Sequence, residues 1–207
     1  MSLFDWSGEW SRPYVEAGYS VVRVDLKSSP SAGGSFLSWD IADAGRIAKC
    51  IPKGVGLLSA PPCTCFSKAS SQWWGEMDSS GQTAEHIQLI RSTQLLVKLL
   101  EPRWWAMENP PGRLWRGDWR SVRDHGPGLV QALGKPAYVF DPWEFGALDG
   151  TRNTKRTYLW GDFTPPVKSP HPSGRGGDRT SQLSSRKKRR RARTPSGFAQ
   201  AFFEANP

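Results

Sequence analysis

Apolar residues along this chain come in short runs closed by turn residues. Val21-Val22-Arg23-Val24-Asp25, Phe36-Leu37-Ser38-Trp39-Asp40-Ile41, Val55 to Leu58, Trp104-Trp105-Ala106-Met107, Tyr138-Val139-Phe140 and Thr157-Tyr158-Leu159-Trp160 are β-branched or aromatic stretches of strand length. Leu3-Phe4 opens a further strand almost at the first residue. Between them, Ser11 to Ala17, Ala42 to Cys50 and Thr83 to Leu100 read as helices, the first closed by Gly18 and the last stopped by Pro102. In the last, Ile87, Ile90 and Val97 share one face and Leu89, Leu96 and Leu100 another, which predicts a helix buried on two sides. The alternation of strand and helix predicts an α/β fold with a doubly wound, Rossmann-like sheet in a single domain.

The polar stretches divide the chain. Ser28 to Ser35 and Asp149 to Lys155 read as connections, and Lys68 to Gln82, with Trp73-Trp74 embedded, as a mobile loop beside an active site. From Asp162 to Arg193 proline, glycine, serine and basic residues take over, a composition expected to be loop or disordered. Thr194 then caps a helix with Pro195 at its first position, whose Phe198, Ala201 and Phe202 form a docking face. The expected organisation is a catalytic domain over 1–161, a basic segment over 162–193 and a docking helix over 194–207.

Charge narrows the choice of partner. The net charge is +9, and Arg186, Lys187, Lys188, Arg189, Arg190, Arg191 and Arg193 carry seven of those charges, so the remainder holds only +2. Such local basicity suits a segment that contacts a polyanion rather than a uniformly basic surface. Three cysteines with no even framework favour a reducing, cytoplasmic setting, and scattered histidines give no metal-binding pattern. No apolar stretch approaches a membrane span.

Candidate chemistry sits where two apolar runs end. Leu57-Leu58-Ser59-Ala60 stops at Pro61-Pro62 and presents Cys63, just past the carboxyl end of a strand, where open α/β sheets bind ligands. A Pro-Cys pair by itself is more often structural. Glu108 raises its standing, because it closes the next buried run, before Asn109-Pro110-Pro111-Gly112, and a carboxylate there is costly to bury without a partner or a task. Asp25 ends a strand about 20 residues after the first turn, the spacing of an acid that holds a nucleotide ribose.

In this order the motifs resemble those of the DNA (cytosine-5) methyltransferase family. Pro62-Cys63-Thr64-Cys65-Phe66-Ser67 is similar to its Pro-Cys-x-x-Phe-Ser motif and Glu108-Asn109-Pro110 to its Glu-Asn-Val motif. Asp5-Trp6-Ser7-Gly8-Glu9-Trp10-Ser11 resembles its first cofactor motif, Asp25 its ribose acid, Asp40-Ile41 its adenine-contacting motif, and Arg156 the last arginine of its Gln-x-Arg-x-Arg motif. The resemblance implies a methyltransferase sheet that binds S-adenosylmethionine through Asp5, Trp6, Ser7, Gly8, Trp10, Asp25, Asp40 and Ile41. It implies Cys63 as the nucleophile toward cytosine C6, Glu108 as its acid partner and Arg156 as a base or phosphate contact, acting on a flipped nucleotide. The first turn is poor in glycine, and the family's sizeable target-recognition domain has no counterpart in Asp162 to Arg193. RNA, a free cytosine nucleotide, a modified donor such as carboxy-S-adenosylmethionine, or a silent nucleic-acid-binding module stay open as alternatives.

Overall fold

The computed structural model describes residues 1–27, 33–115, 128–130, 133–176 and 193–207. Its strands are β1 (Ser2–Leu3), β2 (Val22–Asp25), β3 (Ser35–Ser38), β4 (Gly56–Ser59), β5 (Trp104–Asn109), β6 (Tyr138–Phe140) and β7 (Thr157–Asp162). They form a seven-stranded sheet in the order β3-β2-β1-β4-β5-β7-β6, a doubly wound, Rossmann-like arrangement. Pairing is parallel from β1 to β2, β2 to β3 and β4 to β5, and antiparallel from β5 to β7. The helices are α1 (Arg12–Glu16), α2 (Ala44–Cys50), α3 (Trp74–Ser79), α4 (Gln82–Leu100), α5 (Gly146–Asp149) and α6 (Ser196–Ala205). Two compact units emerge: Met1–Trp39 with Phe140–Arg156 and Phe163–Pro207, and Asp40–Val139 with Thr157–Asp162.

Aromatic packing organises the first unit. Trp10, 1% exposed, meets Phe198 and Phe202 at centroid distances of 5.9 and 5.8 Å, and Phe140 stacks on Phe198 at 4.1 Å. Such ring pairs contribute about 0.5–1.5 kcal/mol each beyond burial. Helix α6 begins at Ser196 with Pro195 as its N-cap residue, and its first turn is held from a distance: the Gly197 N–H and the Ser196 hydroxyl donate to Asp149 Oδ2 at 2.8 and 3.1 Å. Its far end is tied by Asn206, whose carbonyl accepts from the Tyr14 hydroxyl at 2.8 Å and whose side-chain amide exchanges two hydrogen bonds with the Thr164 backbone.

In the second unit β5 and β7 lie over a core of Phe66, Ile90, Met107, Leu114, Trp115, Tyr158 and Trp160. Helix α4 ends at Glu101, whose left-handed backbone (φ 46) and the following Pro102 stop the turn. Of the two faces its pattern predicts, Ile90, Leu96 and Leu100 are buried and Ile87, Leu89 and Val97 half-buried; Leu95 and Leu99, which lie on neither, are not buried, at 45% and 39% exposure. Ser92 and Thr93 occupy part of the buried face, with the Thr93 hydroxyl 3.1 Å from that of Ser59 at the end of β4. The segment 68–82 is not an irregular loop. A 3-10 turn over Lys68–Trp73 runs into α3, built by side-chain-to-backbone bonds that hydrophobic period does not register: Ser67 Oγ accepts from the Ala69 N–H, and the Ser70 hydroxyl donates to the Thr64 and Ser67 carbonyls.

Candidate active site

Cys63 and Glu108 leave the same end of neighbouring parallel strands. In the β4–β5 register Ser59 lies opposite Met107, so Glu108 is one residue beyond that pair and Cys63 four. Two prolines end the β4 ladder, and the chain folds into a tight turn whose Phe66 and Ser67 N–H groups donate to the Cys63 carbonyl at 2.9 and 2.8 Å. Both Cys63 and Glu108 are half-buried. Cys65, two residues on, is buried outright, and desolvation pushes its thiol up, away from the reactive thiolate. Of the two, Cys63 has the exposure a nucleophile needs.

The two segments are stitched together. Buried Asn109 donates from Nδ2 to the Pro61 carbonyl at 3.1 Å, the Lys68 N–H donates to the Pro111 carbonyl at 3.2 Å, and the Arg113 N–H to the Phe66 carbonyl at 2.9 Å. Ser67 and Gly112 form an antiparallel bridge. A Cβ on Gly112 would lie 1.7 Å from the Phe66 carbonyl oxygen, so only glycine permits this approach.

Arg113, which sequence reasoning missed, is the hub of this region. Its Nε donates to the Cys65 carbonyl at 2.7 Å, its two terminal nitrogens donate to Asp78 at 2.8 Å each, and one of them donates to Thr83 Oγ1 at 2.9 Å. The guanidinium also lies over Trp74, 4.8 Å from the ring centroid. Asp78, held by Arg113 and Thr83, has its carboxyl pulled below the usual range. The Cys63 turn, α3 and the start of α4 thus meet on one side chain. An arginine directly after Pro110-Pro111-Gly112, at the sheet edge where two candidate residues arrive, is the signal that could have found it. His86 of α4 also reaches this region. Its ring packs edge-on to Phe66 at 6.1 Å and faces the Pro62 carbonyl, and burial lowers its pKa.

In the first unit, the turn after β1 is closed by Asp5, whose Oδ2 accepts from the Ser2 hydroxyl (2.9 Å), the Ser11 hydroxyl (2.7 Å) and the Ser11 N–H (3.1 Å). Gly8 adopts φ 69 and donates its N–H to the Asp5 carbonyl, and Ser7 Oγ accepts from the Glu9 N–H. Asp25 stands at the end of β2, facing the Trp6 N–H; burial raises its pKa, assisted by the charge of Asp5, while the N–H groups of Lys27, Leu26 and Trp6 oppose the rise. A half-buried carboxylate beside a tight, left-handed turn fits the diol of an adenosine ribose.

Trp10 is buried and packs against Phe198 and Phe202. Arg193 lies 5.3 Å over the ring of Trp6 and 3.5 Å from Glu9, which also pairs with Arg12. Arg156 pairs with Asp141 at 3.1 Å, and its Nε is buried without a hydrogen-bond partner among the described residues. In the second unit, exposed Asp40 accepts the Ala42 N–H at 2.9 Å in a turn before α2, and Ile41 is buried. Arg186, Lys187, Lys188, Arg189, Arg190 and Arg191 lie outside the described residues.

Among the described residues no cluster of His, Cys, Asp and Glu forms a metal site, and no helix is long and apolar enough to cross a membrane. No family model and no curated protein matches the chain. Among solved structures, the chain is similar to a DNA modification methyltransferase encoded within an E. coli prophage, at 16% identity and a TM-score of 0.43. That likeness covers 78% of this chain and 45% of the other, so the chain spans less than half the length of its neighbour; a likeness this distant leaves the function to the residues themselves.

Proposed function

We propose that the protein transfers a methyl group to C5 of cytosine in DNA. The observation that carries this reading is the joining of the Cys63 turn to the end of β5 by Asn109 and by the Ser67–Gly112 bridge, which fastens the nucleophile's segment to the strand end that bears Glu108. A carbon nucleophile has to be made from an unreactive ring carbon, and a thiol with a nearby carboxyl group is the pair that does this. Cys63 adds as thiolate to C6, which leaves C5 nucleophilic. Glu108 hydrogen-bonds N3 and the exocyclic amine and holds the proton that neutralises the ring. Once C5 carries the methyl group, loss of its proton and expulsion of the Cys63 thiolate restore the aromatic ring. The target nucleotide must leave the stack for C6 to be reached.

S-adenosylmethionine, when bound, supplies the electrophilic methyl group. The turn of Asp5 to Gly8 and the Asp25 carboxylate would hold it, with Asp25 on the ribose hydroxyls and backbone N–H groups of the turn on its polar groups; Asp40 and Ile41 are assigned to the adenine. The basic run of residues 186–193 would supply phosphate contacts.

Incubation with labelled S-adenosylmethionine and separate pools of DNA, RNA and deoxycytidine nucleotides, followed by nucleoside mass spectrometry, tests the reading. Labelled 5-methylcytosine in DNA, absent with Cys63→Ala, is expected. Product in the RNA or nucleotide pool alone would move the substrate assignment, and no product in any pool would end the transferase reading.

A further inference from the structure

The second unit contains a cleft at the opposite end of β5 from Glu108. Its volume is ≈ 320 Å³, within the size range of small-molecule sites. Trp105 is three residues before Glu108, about 10 Å back along the strand at roughly 3.3 Å per residue. In the antiparallel register Met107 lies opposite Trp160 and Trp105 opposite Asp162, so Trp105 and Trp160 project from the same face as diagonal neighbours. The Trp160 indole is fixed by donating Nε1–H to the Gly134 carbonyl at 3.0 Å. Helix α4 contributes Gln94, Val97 and Lys98 to the lining, and the segment before β6 contributes Leu133, Lys135 and Ala137.

The chemistry of this lining is specific. Two indoles and three aliphatic side chains make walls for a flat apolar ring, and the half-buried Gln94 amide offers a donor and an acceptor to the edge of such a ring. Lys98 and Lys135 bring two ammonium groups, with no carboxylate among the described residues of the lining. Asp162, opposite Trp105 in the register, is exposed and lies outside it. A ligand with an aromatic ring, polar ring edges and an attached anion answers all three features.

We propose that this cleft is a nucleotide-binding site, taking the base between its apolar walls and a phosphate between Lys98 and Lys135. The nucleotide is either free or the end of a single strand, which share this chemistry. The site is independent of Cys63 and does not require the transferase reading.

Calorimetric titration with deoxyadenosine 5′-monophosphate, deoxyadenosine, inorganic phosphate and a 5′-phosphorylated single-stranded oligonucleotide tests it, with photolabelling by the 8-azido monophosphate to map the contact. The monophosphate is expected to bind with a Kd on the order of 10–100 µM, more tightly than the nucleoside or phosphate alone, and to label peptides containing 94–98 or 133–137. Lys98→Glu with Lys135→Glu should weaken it about tenfold or more, and Ala137→Trp, which plugs the cleft from an exposed position, should abolish it. Tighter binding of the oligonucleotide identifies a strand end as the ligand, and tighter binding of the monophosphate a free nucleotide. The inference fails if the monophosphate does not bind at about 5 mM, if neither variant affects its binding, or if phosphate or nucleoside alone binds as well.

Discussion

Asn109 donates from Nδ2 to the carbonyl of Pro61 across 3.1 Å, so a side chain at the end of one parallel strand holds the turn that carries Cys63 at the end of its neighbour. Asn109 is fully buried, and removing it leaves the Pro61 carbonyl short of a donor. Asn109→Ala is expected to destabilise the protein by about 1–3 kcal/mol in urea unfolding. It should also lower transfer activity more than that loss accounts for under conditions where the variant is folded, because Cys63 is no longer fixed.

Arg113 acts on Cys63 through the Cys65 carbonyl and on α3 through Asp78. Lysine keeps the charge and loses the planar fork, so Arg113→Lys should slow adduct formation with 5-fluorocytosine DNA by roughly 10- to 100-fold. Alkylation of Cys63 by iodoacetamide, measured against exposed Cys50, is expected to change in the same variant without any substrate present. An unchanged Cys63 rate together with an unchanged adduct rate would remove Arg113 from this role.

His86 introduces pH dependence near the nucleophile. Its folded pKa lies below the ordinary value of 6.5, chiefly because burial disfavours the charged ring; Glu85 and the Pro62 carbonyl act in the opposite sense. The neutral form is therefore favoured by folding, so its contribution is fully present above pH 6.5 and is lost as pH falls through the folded pKa. Thermal melts should show wild type losing stability below pH 6.5 more steeply than His86→Gln, the two converging in slope above it.

Asp25 should show opposite effects on stability and donor binding. Burial raises its folded pKa, so the ionised form opposes folding at neutral pH and stability from this group grows as pH falls through that raised value. Asp25→Asn is expected to raise the melting temperature at pH 7 by roughly 1–2 °C, a small effect because the carboxyl is only half-buried. Calorimetry with S-adenosylmethionine should show the same variant binding about tenfold or more weakly, since an amide is a poorer acceptor for two ribose hydroxyls.

Strand positions were legible in the sequence because β-branched and aromatic runs end at proline, glycine or acid, and every run named there overlaps an observed strand. The antiparallel entry of β7 was not, since the run from Thr157 to Trp160 reads the same in either direction. Cys63 and Glu108 could be paired because each ends a run beside a proline pair. The place of Arg113 after Pro110-Pro111-Gly112 pointed to the same edge, but its role as a hub was not legible, because its partners Cys65, Asp78 and Thr83 lie in three separate segments whose meeting depends on the fold. The packing of Trp10 was not legible either: a tryptophan within a motif looks the same in sequence wherever its ring lies, and here it meets the C-terminal aromatics Phe198 and Phe202. The serines of 67–70 build a turn through hydroxyl-to-backbone bonds, a pattern in which apolar spacing carries no information.

Gly112 has a mechanical meaning. With the Phe66 carbonyl where a Cβ would stand, the chain leaving Glu108 and the chain leaving Cys63 are in backbone contact, and neither can shift along the other without breaking the Ser67–Gly112 bridge. Glu108 and Cys63 are mounted on one bracket: a displacement that moves one segment carries the other with it. The separation of the two groups is therefore set by the backbone, and a substrate has only their side-chain rotamers left to adjust.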